Sequence, residues 1–351
     1  MYSFLINHMN SIGKTGVLLV NVGTPDSTQT GDVRKYLREF LMDKRVIDIP
    51  FLSRWFLINC IVAPFRAPKS AKEYRKLWTE RGSPLLFHAQ DLRDKLNQQL
   101  DQTHYRVEVA MRYQSPSIME GLEGFKKANV KKIIVLPLFP QYASASTGTV
   151  ADKVMEITQK WQVIPSMTFV NDFVDHPLFL EAWADISEDM IKKGEYDTFL
   201  FSYHGLPERQ ILKGSCDGYC QLNNKCCSVK TKKNQYCYRA QCFHTTRLLS
   251  QRLGLPSDRV KTSFQSRLLK DPWIKPYTDE VIKELAAEGR KKVLAFSPAF
   301  VADCLETTVE VGEQYKEEFL ALGGEQWDLV PSLNSSDKWV ECVKDIIQRN
   351  N

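Results

Sequence analysis

Apolar residues fall in short dense runs along this chain, with segments of helical spacing between them. "GVLLVNV" (16–22), "YRVEVAM" (105–111), "KIIVLPLF" (132–139), "TFLFSY" (198–203), "VKTSF" (260–264) and "KVLAFSP" (292–298) have the length of strands. Their apolar character is nearly unbroken, so both faces of each strand must be covered, as in a parallel sheet between helices. Helical periodicity predicts helices over 30–42, 117–127, 177–193 and 278–288.

The two halves of the pattern rhyme. "LLVNVGTPDS" (18–27) aligns with "LFSYHGLPER" (200–209), pairing Gly23 with Gly205 and Pro25 with Pro207. "NVKKIIVLPLF" (129–139) aligns with "GRKKVLAFSPAF" (289–300). Each half therefore reads as one open, doubly wound α/β unit, whose ligands bind beyond the carboxyl ends of the strands. His204 stands at such an end, and its counterpart in the first half is Val22. The turn forms without a histidine, so the turn does not explain His204. The competing reading is a structural histidine.

A second candidate lies in "FVADCLETTVEVGEQYKEEF" (300–319). Asp303 and Glu306 have the spacing of a helix start, and Glu306, Glu310, Glu313 and Glu317 follow at steps that line one face of an α-helix. A solvated face beside Lys316 is the ordinary reading. A carboxylate row facing His204 across a cleft would instead attract cations and accept protons. Tyr113, Tyr142, Trp273 and Phe300 lie near expected strand ends, which suits a flat apolar ligand as well as a core.

Composition narrows the class. The chain has 351 residues, 43% hydrophobic and 25% charged, with net charge +5, as in a soluble globular protein of two domains. That charge is too mild to imply nucleic-acid binding. The N-terminal stretch lacks the apolar run of a signal peptide, and "IPFLSRWFLINCIVAPF" (49–65), broken by Arg54, is too short for a membrane span; a cytoplasmic protein is expected. Phe51, Leu52, Trp55, Phe56 and Leu57, with Arg54 among them, could form an apolar, weakly basic lip resting on a membrane surface. A helix packed around the cleft mouth is the alternative.

Six of nine cysteines lie between Cys216 and Cys242, spaced C-x3-C, then C-C, then a single Cys, then C-x4-C. A polar, Lys- and Asn-rich loop has little apolar surface to order it, so a metal centre is the expected organiser. Zinc and an iron–sulfur cluster both take four thiolates, and the spacing does not choose between them.

Together, "LLVNVGTPD", "GSPLLFHAQ", "AMRYQSPS", "LPLFPQYASASTG", "SYHGLPER", "FQSRLLKDPWIKPYTDE" and "FVADCLETTVEV" closely resemble the ferrochelatase family over nearly the whole chain. The resemblance implies an α/β fold of two similar Rossmann-like, chelatase-type domains, each a four-stranded parallel sheet flanked by helices. The expected boundaries are 14–165, 166–330 with a Cys-rich insertion at 213–242, and a C-terminal helix at 331–351. The implied activity is insertion of ferrous iron into protoporphyrin IX to form protohaem, with coproporphyrin III as the alternative substrate. His204 and Glu306 match the family's active-site histidine and glutamate, and Glu310 continues the acidic line toward the substrate iron. Arg112, Tyr113, Trp273 and Phe300 match porphyrin-pocket positions; Arg66, Tyr74 and Ser83 fall near the propionates. Cys304 stands where some members carry a second histidine, and packing is its expected role. Some bacterial members hold a [2Fe–2S] cluster within an internal segment. On that resemblance Cys220, Cys227, Cys237 and Cys242 are the expected ligands, Cys216 and Cys226 the substitutes, and zinc or no metal the alternative. The cluster is expected outside the cleft, in a structural or sensing role.

Overall fold

A computed structural model describes residues 13–267 and 271–351. Residues 1–12, on which the leader expectation bears, and 268–270 of the "FQSRLLKDPWIKPYTDE" motif lie outside the described residues. In chain order the main elements begin with β1 (Thr15–Gly23), α1 (Thr30–Leu41), α2 (Ala63–Leu77), α3 (Pro84–Gln99), β2 (Tyr105–Tyr113) and α4 (Ile118–Lys127). β3 (Lys132–Pro137), α5 (Thr149–Thr158), β4 (Ser166–Phe169) and α6 (Pro177–Lys193) follow. The second half contains β5 (Thr198–His204), α7 (Tyr238–Arg252), β6 (Val260–Gln265), α8 (Thr278–Ala287) and β7 (Lys292–Phe296). It ends with α9 (Tyr315–Ala321), β8 (Gln326–Leu329) and α10 (Asp337–Arg349).

The protein has two four-stranded parallel sheets, of order β2-β1-β3-β4 and β6-β5-β7-β8. The orders are identical, so the second half repeats the first strand for strand. β4 completes the first sheet, pairing with β3 from Ser166 onward. Neither β4 nor β8 stood out among the apolar runs. Both are four-residue edge strands with partly exposed faces, so no long apolar run marks them.

The central strands carry apolar residues on both faces because helices cover both. Val17 and Leu19 of β1 point to one side, Leu18 and Val20 to the other. On the outer side of the first sheet, α4 and α5 supply Leu122, Phe125, Val150 and Val154. On the outer side of the second, α8 and α9 supply Ile282, Leu285 and Phe319. The inner faces of both sheets share one continuous core with α3, α6, α7 and α10, in which Phe201, Phe296, Trp183 and Trp339 are buried. Phe201 and Phe296 stack at 4.5 Å between ring centroids. Ser117 caps α4 with a reciprocal pair of bonds to Glu120.

Gly23 and Gly205 recur for a steric reason. Gly23 has φ +115°, and a Cβ on it would lie 2.1 Å from the Tyr113 carbonyl oxygen. A Cβ on Gly205 would lie 2.8 Å from the Gln265 carbonyl oxygen and 3.0 Å from the Trp273 ring. In each half the first strand leaves its sheet pressed against the second strand, and only glycine fits.

Because one core serves both halves, Trp339→Ala in α10 is expected to cost about 3–5 kcal/mol. Urea unfolding should remain one cooperative transition; two separate transitions would contradict the shared core.

Candidate active site

The carboxyl ends of the two sheets face each other. Val22, at the end of β1, packs with Leu85, Phe300, Ala302 and Cys304. The second-half residues of this group follow β7, so the switch points of both sheets border one cleft.

His204 ends β5, half-buried. Its ring centroid lies 6.3 Å from that of Trp273 and 6.5 Å from that of Phe300. Its Nδ1 is 2.6 Å from the Gly205 carbonyl oxygen. A carbonyl only accepts, so Nδ1 carries the hydrogen and the neutral ring keeps its lone pair on Nε2. Gln265, opposite His204 in the ladder, is 1% exposed. It accepts from the Ser202 hydroxyl at 2.7 Å and donates to the Glu306 carbonyl and to a Glu310 carboxylate oxygen, both at 3.0 Å. Gln265 thus holds the β5 end through its backbone carbonyl, which accepts the Gly205 amide, and the acidic segment through its side-chain amide.

The acidic segment differs from expectation. Cys304, not Asp303, is the N-cap, and residues Leu305–Gln314 form a π-helix with i→i+5 bonds. Asp303 instead accepts from the Ser332 amide and the Asn334 side chain. The wider turn breaks the single carboxylate row. Glu306 approaches Tyr36 and Tyr74 of the first half and helps raise both phenol pKa values, after burial. Glu313 pairs with Lys76 at 3.5 Å. Glu310 accepts from Gln265, from Ser266 and, at 3.2 Å, from Tyr315. Glu317 is exposed. Cys304 is buried, and burial, then Glu306, hold its thiol protonated, which suits packing.

Opposite this segment, α1 and α2 form an aromatic wall. Tyr113, Phe40, Tyr36, Tyr74 and Trp78 touch in sequence, at centroid distances of 5.2 to 6.4 Å. Tyr74 therefore meets Glu306 in the cleft, and Arg66, exposed on the same helix, lowers the Tyr74 pKa against the larger effect of burial. Arg112 and Tyr113 are enclosed by their own partners. Asp43 accepts from Arg112 at 2.5 Å, from the Tyr113 hydroxyl at 3.0 Å and from Thr149, and Tyr113 is fully buried. Ser83 is buried at the N-cap of α3, beside the cleft residue Leu85. Tyr142 packs on Tyr236 of the cysteine segment at 5.8 Å.

The lip is real as surface but not as charge. Phe51, Leu52, Trp55, Phe56, Ile61 and Phe65 are exposed, Leu52 and Phe65 at 79%. Arg54 is buried and donates to the carbonyls of Ile47 and Ile49 at 3.0 and 2.9 Å, and Leu57 packs inward. Beneath the lip, Asp48 accepts from Arg209 at 2.7 Å and from Lys213, tying this loop to the helix Glu208–Lys213 that follows His204.

In the cysteine segment the thiols of Cys220, Cys226, Cys227 and Cys237 pack together with Tyr219 and Phe243. The Cys226 and Cys227 sulfurs are 3.8 Å apart, and Cys227 hydrogen-bonds Cys237. Cys237 caps the N-terminus of α7; its pKa is lowered by the bond from Cys227 and, against burial, by the amides of Ala240 and Arg239. Cys242 is buried one turn on, beside Tyr238, and Cys216 is exposed. Cys226 thus joins the group in the place expected for Cys242. Among the described residues no three His, Cys, Asp or Glu side chains are arranged to hold a metal ion.

Sequence reasoning missed Tyr36, Asp43, Gln265, Ser266 and Tyr315. Gln265 alone carried a signal, a polar residue closing an apolar strand.

The sequence model of the ferrochelatase family matches residues 14–351. A ferrochelatase of Legionella pneumophila (strain Lens) is 46% identical over 336 residues, covering 95% of this chain and 98% of that protein. One of Coxiella burnetii (strain Dugway 5J108-111) is 40% identical over 338 residues, covering 96% and 94%. The solved structure of SirB from Bacillus subtilis with Fe3+ shares the fold at TM-score 0.53 and 11% identity, covering 96% of this chain and 95% of that one. The chain belongs to the ferrochelatase family.

Proposed function

We propose that this chain inserts ferrous iron into protoporphyrin IX, with His204 and Glu306 as the reacting pair. Metal insertion into a porphyrin in haem biosynthesis follows from family membership; the choice of porphyrin and the residue roles are this reading's own. The observation that carries it is the contact of His204 Nδ1 with the Gly205 carbonyl, which leaves Nε2 as the proton acceptor of a ring set beside Trp273 and Phe300.

Insertion forms four iron–nitrogen bonds and releases two pyrrole protons. His204 takes one proton at Nε2; Glu306, half-buried against Tyr36 and Tyr74, takes the other, and Glu310 extends the acidic path behind it. Tyr74, Trp273 and Phe300 hold the flat ring, bent enough to expose its nitrogen lone pairs. In this reading Arg66, exposed on α2, pairs with a propionate. Arg112 and Tyr113 shape the aromatic wall through Asp43. Ferrous iron and the porphyrin are the partners in this reading, and nucleic acid is not.

His204→Ala is expected to lower the insertion rate about 10²-fold or more, while porphyrin binding, read by fluorescence, survives. Most activity retained at saturating iron would remove His204 from its role. In the same anaerobic assay protoporphyrin IX should exceed coproporphyrin III in kcat/KM; the reverse order would transfer the assignment to coproporphyrin.

The apolar lip supports a cytoplasmic enzyme that touches the membrane peripherally and receives porphyrin there. Among the described residues no helix is long and apolar enough to cross a membrane. Flotation with anionic vesicles should fall for Trp55→Ser/Phe56→Ser; equal recovery would argue for a lip that serves the cleft alone.

Cys220, Cys226, Cys227 and Cys237 pack in one group, one of them at a helix N-terminus, and this proximity, without a metal-holding arrangement among the described residues, is what supports a thiolate-held centre in this reading. Cys220, Cys227 and Cys237 with Cys226 or Cys242 would hold a [2Fe–2S] cluster, whose contribution would be to order this loop or to sense its redox surroundings. Anaerobically purified protein should absorb in the visible and give an EPR signal when reduced. Colourless protein with stoichiometric zinc and no acid-labile sulfide would assign zinc instead.

A further inference from the structure

Helix α7 starts where the cysteine segment ends, and its first two residues reach the wall of the cleft. Cys237 is its N-cap. Tyr238, buried beside it, donates its hydroxyl to the His204 carbonyl at 2.8 Å, and the Cys242 thiol lies against the same hydroxyl. Arg239, also buried, donates Nε and Nη2 to the Lys275 carbonyl at 3.1 and 3.0 Å. Its Nη1 donates to the Asn223 carbonyl at 3.1 Å. Asn223 caps the short helix Asn224–Cys227 that carries Cys226 and Cys227. Lys275 is two residues from Trp273, and the Ile274 amide between them donates to the Leu206 carbonyl at 3.0 Å. Two adjacent side chains thus connect the thiol group to His204 itself and to the loop that presents Trp273.

We propose that Tyr238 and Arg239 are positioning residues, through which the packing of Cys220, Cys226, Cys227 and Cys237 sets the seat of His204 against Trp273. The proposal rests on the reading of His204 given above and adds its control from outside the cleft. His204 is the last residue of β5. Beyond it the chain is held by the Gly205 amide on the Gln265 carbonyl, at 2.8 Å, and by Tyr238. Loss of the phenol would leave a carbonyl short of its partner and free the imidazole to shift. A rearranged thiol group would displace Cys237 and carry its neighbour Tyr238 with it.

Tyr238→Phe keeps the ring and removes the hydroxyl. Its kcat should fall about 10-fold, with the porphyrin dissociation constant within about two-fold of the parent, since a small misplacement of a reacting group costs rate more than binding. Hydrogen exchange of the Gly205 and Ile274 amides should quicken in Tyr238→Phe and also in Cys227→Ala/Cys237→Ala, which leaves the cleft residues untouched. Parent-like exchange at both amides, with faster exchange confined to 216–237, would overturn the proposal. Should the double cysteine variant not fold, unchanged kcat and exchange in Tyr238→Phe would overturn it alone. If His204→Ala retains activity, the role of His204 fails, while the exchange rates still decide whether α7 seats this strand end.

Discussion

Gly205 lets the end of β5 press against β6, and that contact organises the reactive half of the cleft. The Gln265 carbonyl occupies the space that a side chain at 205 would need, and it accepts the Gly205 amide. The turn is therefore tight enough for the Gly205 carbonyl to reach back to Nδ1 of His204. The Trp273 ring closes the same space from the other side. The orientation of the imidazole, its tautomer and its aromatic neighbour all descend from one close backbone approach.

The repeat shows what was added to a common scaffold. Arg112 and Gln265 occupy corresponding places in their sheets, next to the ends of β1 and β5. Each reaches across to the segment that follows the third strand of its own half. Arg112 Nε donates to the Thr149 carbonyl, just past the π-helix Ser144–Gly148. Gln265 Nε2 donates to the Glu306 carbonyl, inside the π-helix Leu305–Gln314. In the first half the device ends in a closed ion pair with Asp43, and Val22 presents an apolar face. In the second half it ends in an uncharged amide that also bonds Glu310, and His204 takes the place of Val22.

Much of this was legible in the sequence, for identifiable reasons. The central strands β1, β3, β5 and β7 were marked by dense apolar runs because helices bury both of their faces, and the edge strands β2 and β6 by the apolar residues of their carboxyl-end halves. The helix Pro177–Lys193 kept its expected bounds because proline at its start and Gly194 after its end mark both limits. β4 and β8 were hidden by shortness and partial exposure. The acidic row was misjudged because α-helical spacing was assumed where the backbone takes i→i+5 bonds, and side-chain periodicity alone does not reveal that choice. Arg54 read as a surface charge, yet two carbonyls just upstream draw its guanidinium inward. Tyr36 and Asp43 were invisible because their roles depend on partners from distant segments. The family resemblance supplied His204 and Glu306, but not the Gln265 side-chain amide that holds the Glu306 segment beside the end of β5.

That amide also explains why the second half tolerates so much buried polarity. Ser202, Ser263, Thr278 and Gln265 are each 1% exposed or less, among apolar strands where an unpaired polar group costs about 1–3 kcal/mol. Each has a partner: Ser202 donates to Gln265 at 2.7 Å, Thr278 donates to Ser263 at 2.9 Å, and the Ser202 and Thr278 oxygens lie 3.1 Å apart. An apolar core at these positions would pack as well and leave Gln265 free to turn. The hydroxyl chain fixes the amide's orientation, with its oxygen toward Ser202 and its nitrogen toward the π-helix. A π-helix has poorer local bonding than an α-helix and needs outside support to persist. Gln265 supplies that support by bonding both the Glu306 carbonyl and the Glu310 carboxylate, so the polarity buried beneath the sheet end holds the wider turn in place.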